Sequence, residues 1–135
     1  MKRKVLVGGC FDILHFGHIH FLREAKKLGD YLIVALESDF GVKKLKGKNR
    51  PFHNEKQRKE ILESLKFVDE VIILKDKMAN EDYEQMVTEI SPHIIAVAKG
   101  SKTKTHAHLV NAKIVKIPKA KVSSTTKIAK ILGME

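Results

Sequence analysis

Five short apolar runs alternate along this chain with stretches whose apolar residues recur at helical spacing, and that alternation most limits what it can fold into. Lys4–Gly8 is an apolar, β-branched run that ends in a glycine pair. Ile19, Leu22, Ala25 and Leu28 then recur three and four residues apart until Gly29 stops the pattern. Tyr31–Leu36 is apolar at every position, as expected of a strand buried on both faces. Asn54 can cap a helix carrying Ile61, Leu62 and Leu65, and Val71–Leu74 reads as the next strand. Glu81–Ile90 reads as a helix, and Ile94–Ala98 and Ile114–Ile117 as strands. Ser124-Thr125-Thr126 opens a last helix through Ile128 and Ile131, closed by Gly133. The order is βαβ(α)αβαββα, with the bracketed helix left open. It predicts an α/β fold: a single Rossmann-like domain over residues 1–135, with a five-stranded parallel sheet and helices on both faces. Ligands of such sheets bind beyond the carboxyl ends of the strands, where the strand order switches. The segment Lys43–Arg50, rich in Lys and Gly, is expected to be a loop able to act as a mobile lid.

Size and composition exclude several classes. A chain of 135 residues with 43% hydrophobic and 31% charged residues has a globular balance. Its apolar runs are too short to span a bilayer, and Met1-Lys2-Arg3-Lys4 does not lead into a signal-peptide core. With one cysteine, Cys10, no internal disulfide can form, and a cytoplasmic location is expected. The formal net charge is +10, and from Ser91 to Met134 there are nine lysines and no acidic residue. A block this one-sided implies an anionic partner or a solvated basic face. With 22 lysines and only four arginines, bidentate readout by arginine is not where the chain invests.

The chemistry concentrates where the first strand meets the first helix, in Gly8-Gly9-Cys10-Phe11-Asp12-Ile13-Leu14-His15-Phe16-Gly17-His18. Glycines let a ligand approach the backbone, and the free N–H groups at a helix start favour an anion. Two histidines flanking a glycine can place two imidazole donors on one phosphoryl group. This combination points to a phosphate site.

His15-Phe16-Gly17-His18 resembles the HxGH signature of the cytidylyltransferase-like nucleotidyltransferases. Gly9-Cys10-Phe11-Asp12-Ile13-Leu14-His15 is especially similar to their heptose-phosphate adenylyltransferase branch. Ala25–Asp30, Val42–Gly47, Arg50-Pro51, Val68–Val71 and Ser124-Thr125-Thr126 extend the resemblance over nearly the whole chain. Glycerol-3-phosphate cytidylyltransferases and archaeal FMN adenylyltransferases share this skeleton. HxGH also resembles the HIGH motif of class I aminoacyl-tRNA synthetases, but there is no KMSKS sequence and no room for a tRNA-binding domain.

The resemblance implies transfer of AMP or CMP from ATP or CTP to a phosphorylated small-molecule acceptor, a sugar or polyol phosphate, releasing pyrophosphate. Mg²⁺ would arrive with the triphosphate, with no permanent metal site. His15, His18 and Lys46 would be catalytic. Gly9, Cys10, Phe11, Gly17, Ser124, Thr125 and Thr126 would bind the nucleotide, the last three receiving its β- and γ-phosphates. Asp12, Lys44 and Arg58 would face the acceptor, with Asp12 binding a hydroxyl, supporting Mg²⁺ or forming an Asx turn. A helix N-terminus near Cys10 could lower its thiol pKa. Homodimers are common among such relatives, so a homodimer is expected.

Two segments depart from the family pattern. Ala98-Lys99-Gly100-Ser101 lacks the carboxylates and tryptophan of relatives, and Lys119-Ala120-Lys121-Val122 replaces the Arg-Thr-Glu-Gly of the glycerol-phosphate branch. Acceptor recognition rebuilt with lysines is one explanation, and lost activity another. FMN adenylylation is an alternative, since the archaeal FMN adenylyltransferases resemble this chain in length and in the Ala25-Lys26-Lys27-Leu28-Gly29-Asp30 stretch, although the Gly-Tyr-Asp-Gln element is missing and the chain has two tyrosines and no tryptophan to stack on an isoalloxazine. A nucleotide- or nucleic-acid-binding protein without turnover is a third, but no helix-turn-helix or RNP-like pattern supports a nucleic-acid partner. His106 and His108 lie in a Lys/Thr loop and are expected to be solvated, since nearby carboxylates and cysteines to complete a metal site are absent.

Overall fold

The computed structural model describes residues 2–120. Within them β1 (Lys4–Gly9), α1 (Phe16–Lys26), β2 (Tyr31–Leu36), α2 (Asp39–Lys46), α3 (Glu55–Glu63), β3 (Glu70–Ile73), α4 (Asn80–Ile90), β4 (Ile94–Ala98) and β5 (Lys113–Ile117) follow one another, with a single 3₁₀ turn at Ala107–Leu109 before β5. The five strands form one parallel sheet in the order β3-β2-β1-β4-β5. The chain starts in the middle of this sheet, builds outward through β2 and β3, then returns to lay β4 on the other side of β1. The switch in strand order thus lies at β1, whose carboxyl end carries the glycine pair. The helix expected from Ser124 onward lies outside the described residues.

Alternation along the central strands divides the core into two layers. Val5 and Val7 of β1, with Leu32, Val34 and Leu36 of β2, pack under Leu22 and Ala25 of α1 and Leu62 of α3. Leu6, Ile33, Ala35 and Ile95 face the opposite side, against Val87 of α4 and Ala107. This is why β2 is apolar at every position: both of its faces are covered. Leu22, Leu32, Leu36 and Leu62 are completely buried, and truncating any of them to alanine should cost about 2–5 kcal/mol.

One expectation is corrected here. Lys43–Lys46 is not loop but the second half of α2. Ser38 caps that helix by accepting from the Gly41 N–H at 3.1 Å, and Val42 is fully buried beneath it. Asp39 in the first turn and Lys43, Lys44 and Lys46 in the last complement the helix dipole. The helix is only eight residues long, carries Gly41 in its first turn and ends in lysines, so that its second half reads as loop. Gly47, at φ 110°, ends it in a conformation that L side chains rarely adopt.

Candidate active site

The turn between β1 and α1 sits at the carboxyl edge of the sheet and is wound tightly. Phe11 (φ 46°) and Ile13 (φ 60°) are both left-handed without being glycine, a strain that persists only when the surroundings hold it. The Phe11 ring is buried over Gly9, where an added Cβ would lie 2.9 Å from it, and meets the His18 ring edge-on at 5.6 Å. Phe11, expected among the nucleotide-binding residues, therefore packs its side chain into the core and has only its main chain to offer a ligand. Gly17 is required by the same compactness, because a Cβ there would come within 2.8 Å of His15 Cε1.

His15 and His18 cap α1 reciprocally. The Gly17 N–H donates to His15 Nδ1 at 3.0 Å, and the His15 N–H donates to His18 Nδ1 at 3.2 Å. The two rings stack with centroids 3.9 Å apart. Because both Nδ1 atoms accept, each neutral ring must carry its proton on Nε2. Burial, then the neighbouring His15 and Lys46, push the His18 pKa down to about 4. His18 is therefore a neutral donor at physiological pH, so the pair offers two Nε2–H donors at the mouth of a helix N-terminus. Lys46, exposed at the end of α2, is the lysine whose charge reaches both His18 and Cys10. Lys44 is two residues back, about 200° around the helix, and lies on another face.

Arg58 and Asp12 sit differently from their expected roles. Arg58 is fully buried. Its Nη1 donates to the carbonyls of Cys10 and Glu37, both at 2.8 Å, its Nε to the His53 carbonyl at 2.9 Å, and its Nη2 to Asp39 Oδ1 at 2.9 Å. The guanidinium thus ties the phosphate turn to the end of β2 and the start of α3, spending its donors on protein groups. Asp12 is equally committed. Its Oδ2 accepts from Arg50 Nε at 2.8 Å and the Phe52 N–H at 2.7 Å, and its Oδ1 from the His53 N–H at 3.0 Å. These partners lie 38 to 41 residues away, so the carboxylate is not in an Asx turn. Burial alone would raise its pKa, but the His53 and Phe52 N–H groups and Arg50 outweigh burial and hold it below the usual carboxylate range.

Cys10 is also corrected. Burial pushes its thiol up, ahead of the opposing pull of Lys46, so it is not an activated thiolate. Its carbonyl, held by Arg58, is its structural contribution. His106 is buried rather than solvated and lies nearly parallel to the Tyr83 ring, whereas His108 is exposed, so the two do not share a side. Arg50, Glu37 and Tyr83 were absent from the sequence-derived site. The place of Glu37 directly after a central strand, at the carboxyl edge, was the available signal. Ser124, Thr125 and Thr126 lie outside the described residues.

A parallel sheet with a strained glycine turn at its switch point, and two imidazole donors at the following helix start, defines an α/β protein built to hold phosphoryl groups. Comparison with known proteins makes the class specific. Residues 6–131 match the family model described as cytidylyltransferase-like, and the chain belongs to that family, whose members are nucleotidyltransferases. It is 38% identical to the FAD synthase of Thermococcus sibiricus over 97% of this chain and 90% of that protein. It is 45% identical to the bifunctional protein HldE of Aliarcobacter butzleri over 70% of this chain, but that match covers only 19% of the larger protein. Among solved structures, a lipopolysaccharide core biosynthesis protein from Thermoplasma volcanium GSS1 superposes with a TM-score of 0.75 at 34% identity, covering 90% of this chain and all of that one. Among the described residues, no helix is long and apolar enough to cross a membrane.

Proposed function

We propose that this chain is an adenylyltransferase that moves AMP from ATP to the phosphate of a sugar or polyol phosphate. The observation that carries this reading is the His15–His18 pair, in which both Nδ1 atoms accept main-chain N–H groups and both Nε2–H groups are left for a ligand. An oxygen of the acceptor phosphate attacks the α-phosphorus of ATP. The new P–O bond forms as the bond to the bridging oxygen breaks, and pyrophosphate leaves with that electron pair. The two imidazoles stabilise charge on the transferring group, the α1 N-terminus adds its dipole, and Lys46, whose charge reaches His18, neutralises the leaving phosphates. No proton needs to be removed from the attacking phosphate, so neutral histidines suffice. Mg²⁺ enters as part of the substrate MgATP. The Asp12 carboxylate, committed to Arg50, Phe52 and His53, is not available as a resident ligand. A cytoplasmic homodimer completes the proposal.

The test is pyrophosphate release with Mg²⁺, crossing ATP and CTP against heptose 1-phosphate, glycerol 3-phosphate and FMN. ATP with a sugar or polyol phosphate is the expected productive pair. His15→Ala and His18→Ala should each lower its turnover by about 10²–10³, the scale for one lost charge-stabilising donor. Near-wild-type turnover in both variants would refute the mechanism. FMN is the second acceptor, favoured by the end-to-end match to FAD synthase. Turnover confined to ATP and FMN would select it.

A further inference from the structure

The geometry points to Glu37, Tyr83 and His106 as a subsite that reads the hydroxyl groups of the acceptor's carbon chain. It rests on the transferase reading above and names residues that determine specificity. Glu37 directly follows β2. Its N–H donates to the Gly9 carbonyl at 3.0 Å, and its own carbonyl is held by Arg58, which also holds Cys10. Its carboxylate therefore sits one residue's reach from the phosphate turn and acts electrostatically on Cys10.

That carboxylate occupies a place the fold leaves open for it. A Cβ on Gly41 of α2 would lie 2.6 Å from Glu37 Oε2, so the glycine leaves the carboxylate its present place and a larger residue would make it shift. The Tyr83 hydroxyl, from the start of α4, lies beside it, each group acting on the charge of the other. The Tyr83 ring lies 11° from parallel with that of His106, at 6.4 Å between centroids. His106 is 5% exposed and left-handed at φ 57°. Among the described residues its ring makes no hydrogen bond, yet no fully buried side-chain nitrogen lacks a partner. Its ring nitrogens are therefore the accessible edge of an otherwise buried side chain.

These groups come from the end of β2, the start of α4 and the β4–β5 connection, all at the carboxyl edge of the sheet. A carboxylate that accepts, a phenol and an imidazole edge, flanked by aromatic faces, suit a neutral, hydroxyl-bearing chain. A cation would face Arg58 and Lys46, and an anion would face Glu37. Polyol phosphates and the ribityl phosphate of FMN both carry such a chain next to the attacking phosphate, and the acceptor arms of the assay distinguish them.

The experiment measures KM for ATP and for each productive acceptor among heptose 1-phosphate, glycerol 3-phosphate and FMN, in the wild-type chain, Glu37→Gln, Tyr83→Phe and His106→Asn. Losing a hydrogen bond to a charged group predicts an acceptor KM raised roughly tenfold or more in Glu37→Gln, and a smaller rise in the others. The KM for ATP should stay within about twofold, and the thermal midpoint near that of the wild type. Equal rises in both KM values, or lost stability with an unchanged acceptor KM, would show a purely structural tie and overturn the proposal. If Glu37→Gln fails to fold, Tyr83→Phe decides, since it keeps the ring and removes only the hydroxyl. A wild-type chain inactive with all three acceptors would refute the transferase reading and this subsite with it. An active wild type with insensitive variants would refute the subsite alone.

Discussion

Replacing His18 by glutamine and following stability against pH tests the central feature of the site. Glutamine three residues into a helix can accept the His15 N–H just as His18 Nδ1 does, so the cap survives while the titrating ring is lost. His18 is held at about 4, against an ordinary 6.5, by burial first and then by His15 and Lys46. Between these values the unfolded chain binds a proton that the folded chain refuses, so stability falls as the pH drops through this window. Linkage puts the loss at about 2 kcal/mol at pH 5, as an upper figure because water screens the accessible edge of the ring. The contribution is fully present above the unfolded value and gone below the folded one. Urea unfolding of both proteins between pH 7.5 and 5 isolates the term, since other groups titrate in both. Wild type should lose its advantage over His18→Gln as the solution is acidified. A difference that stays flat across this range would refute the neutral, half-buried His18 of the donor pair.

Three further substitutions probe the supports of the site. Gly17→Ala places a Cβ 2.8 Å from His15 Cε1, so His15 must move. Turnover should fall about as far as in His15→Ala, roughly 10²-fold or more, with urea unfolding changed by less than about 1 kcal/mol. Arg58→Met strands the carbonyls of Cys10, Glu37 and His53, and urea titration should show a loss of about 3–5 kcal/mol. Asp12→Asn sets an amide against N–H donors it cannot accept from with both atoms. Hydrogen exchange at the Phe52 and His53 amides should accelerate, and unprotected wild-type amides there would contradict the assigned bonds.

The elements legible in the sequence were those that bury a regular pattern. β2 and β4 fall where their apolar runs fall, Asn54 caps α3 with Gln57 returning the bond, and the βα alternation dictated a parallel sheet. The phosphate turn was legible for a different reason: its glycines and histidines are local, and the cap between His15 and His18 closes within four residues. α2 was left open, and its second half read as loop, because it is short, carries Gly41 in its first turn and ends in a run of lysines.

The order of the elements, the sheet and the position of the phosphate turn are thus legible in the chain alone. These follow from periodicity and from contacts a few residues apart. The tertiary structure alone decided what the charged residues do. Asp12 and Arg58 are polar residues of the expected kind at the expected positions, yet partners from 19 to 48 residues away turn both inward as struts. Glu37, Tyr83 and His106 are 69 residues apart along the chain at their extremes, and no local pattern connects them. A buried charge takes its role from whatever the fold places within hydrogen-bond reach, and that is set by the crossing of distant segments rather than by its neighbours in sequence.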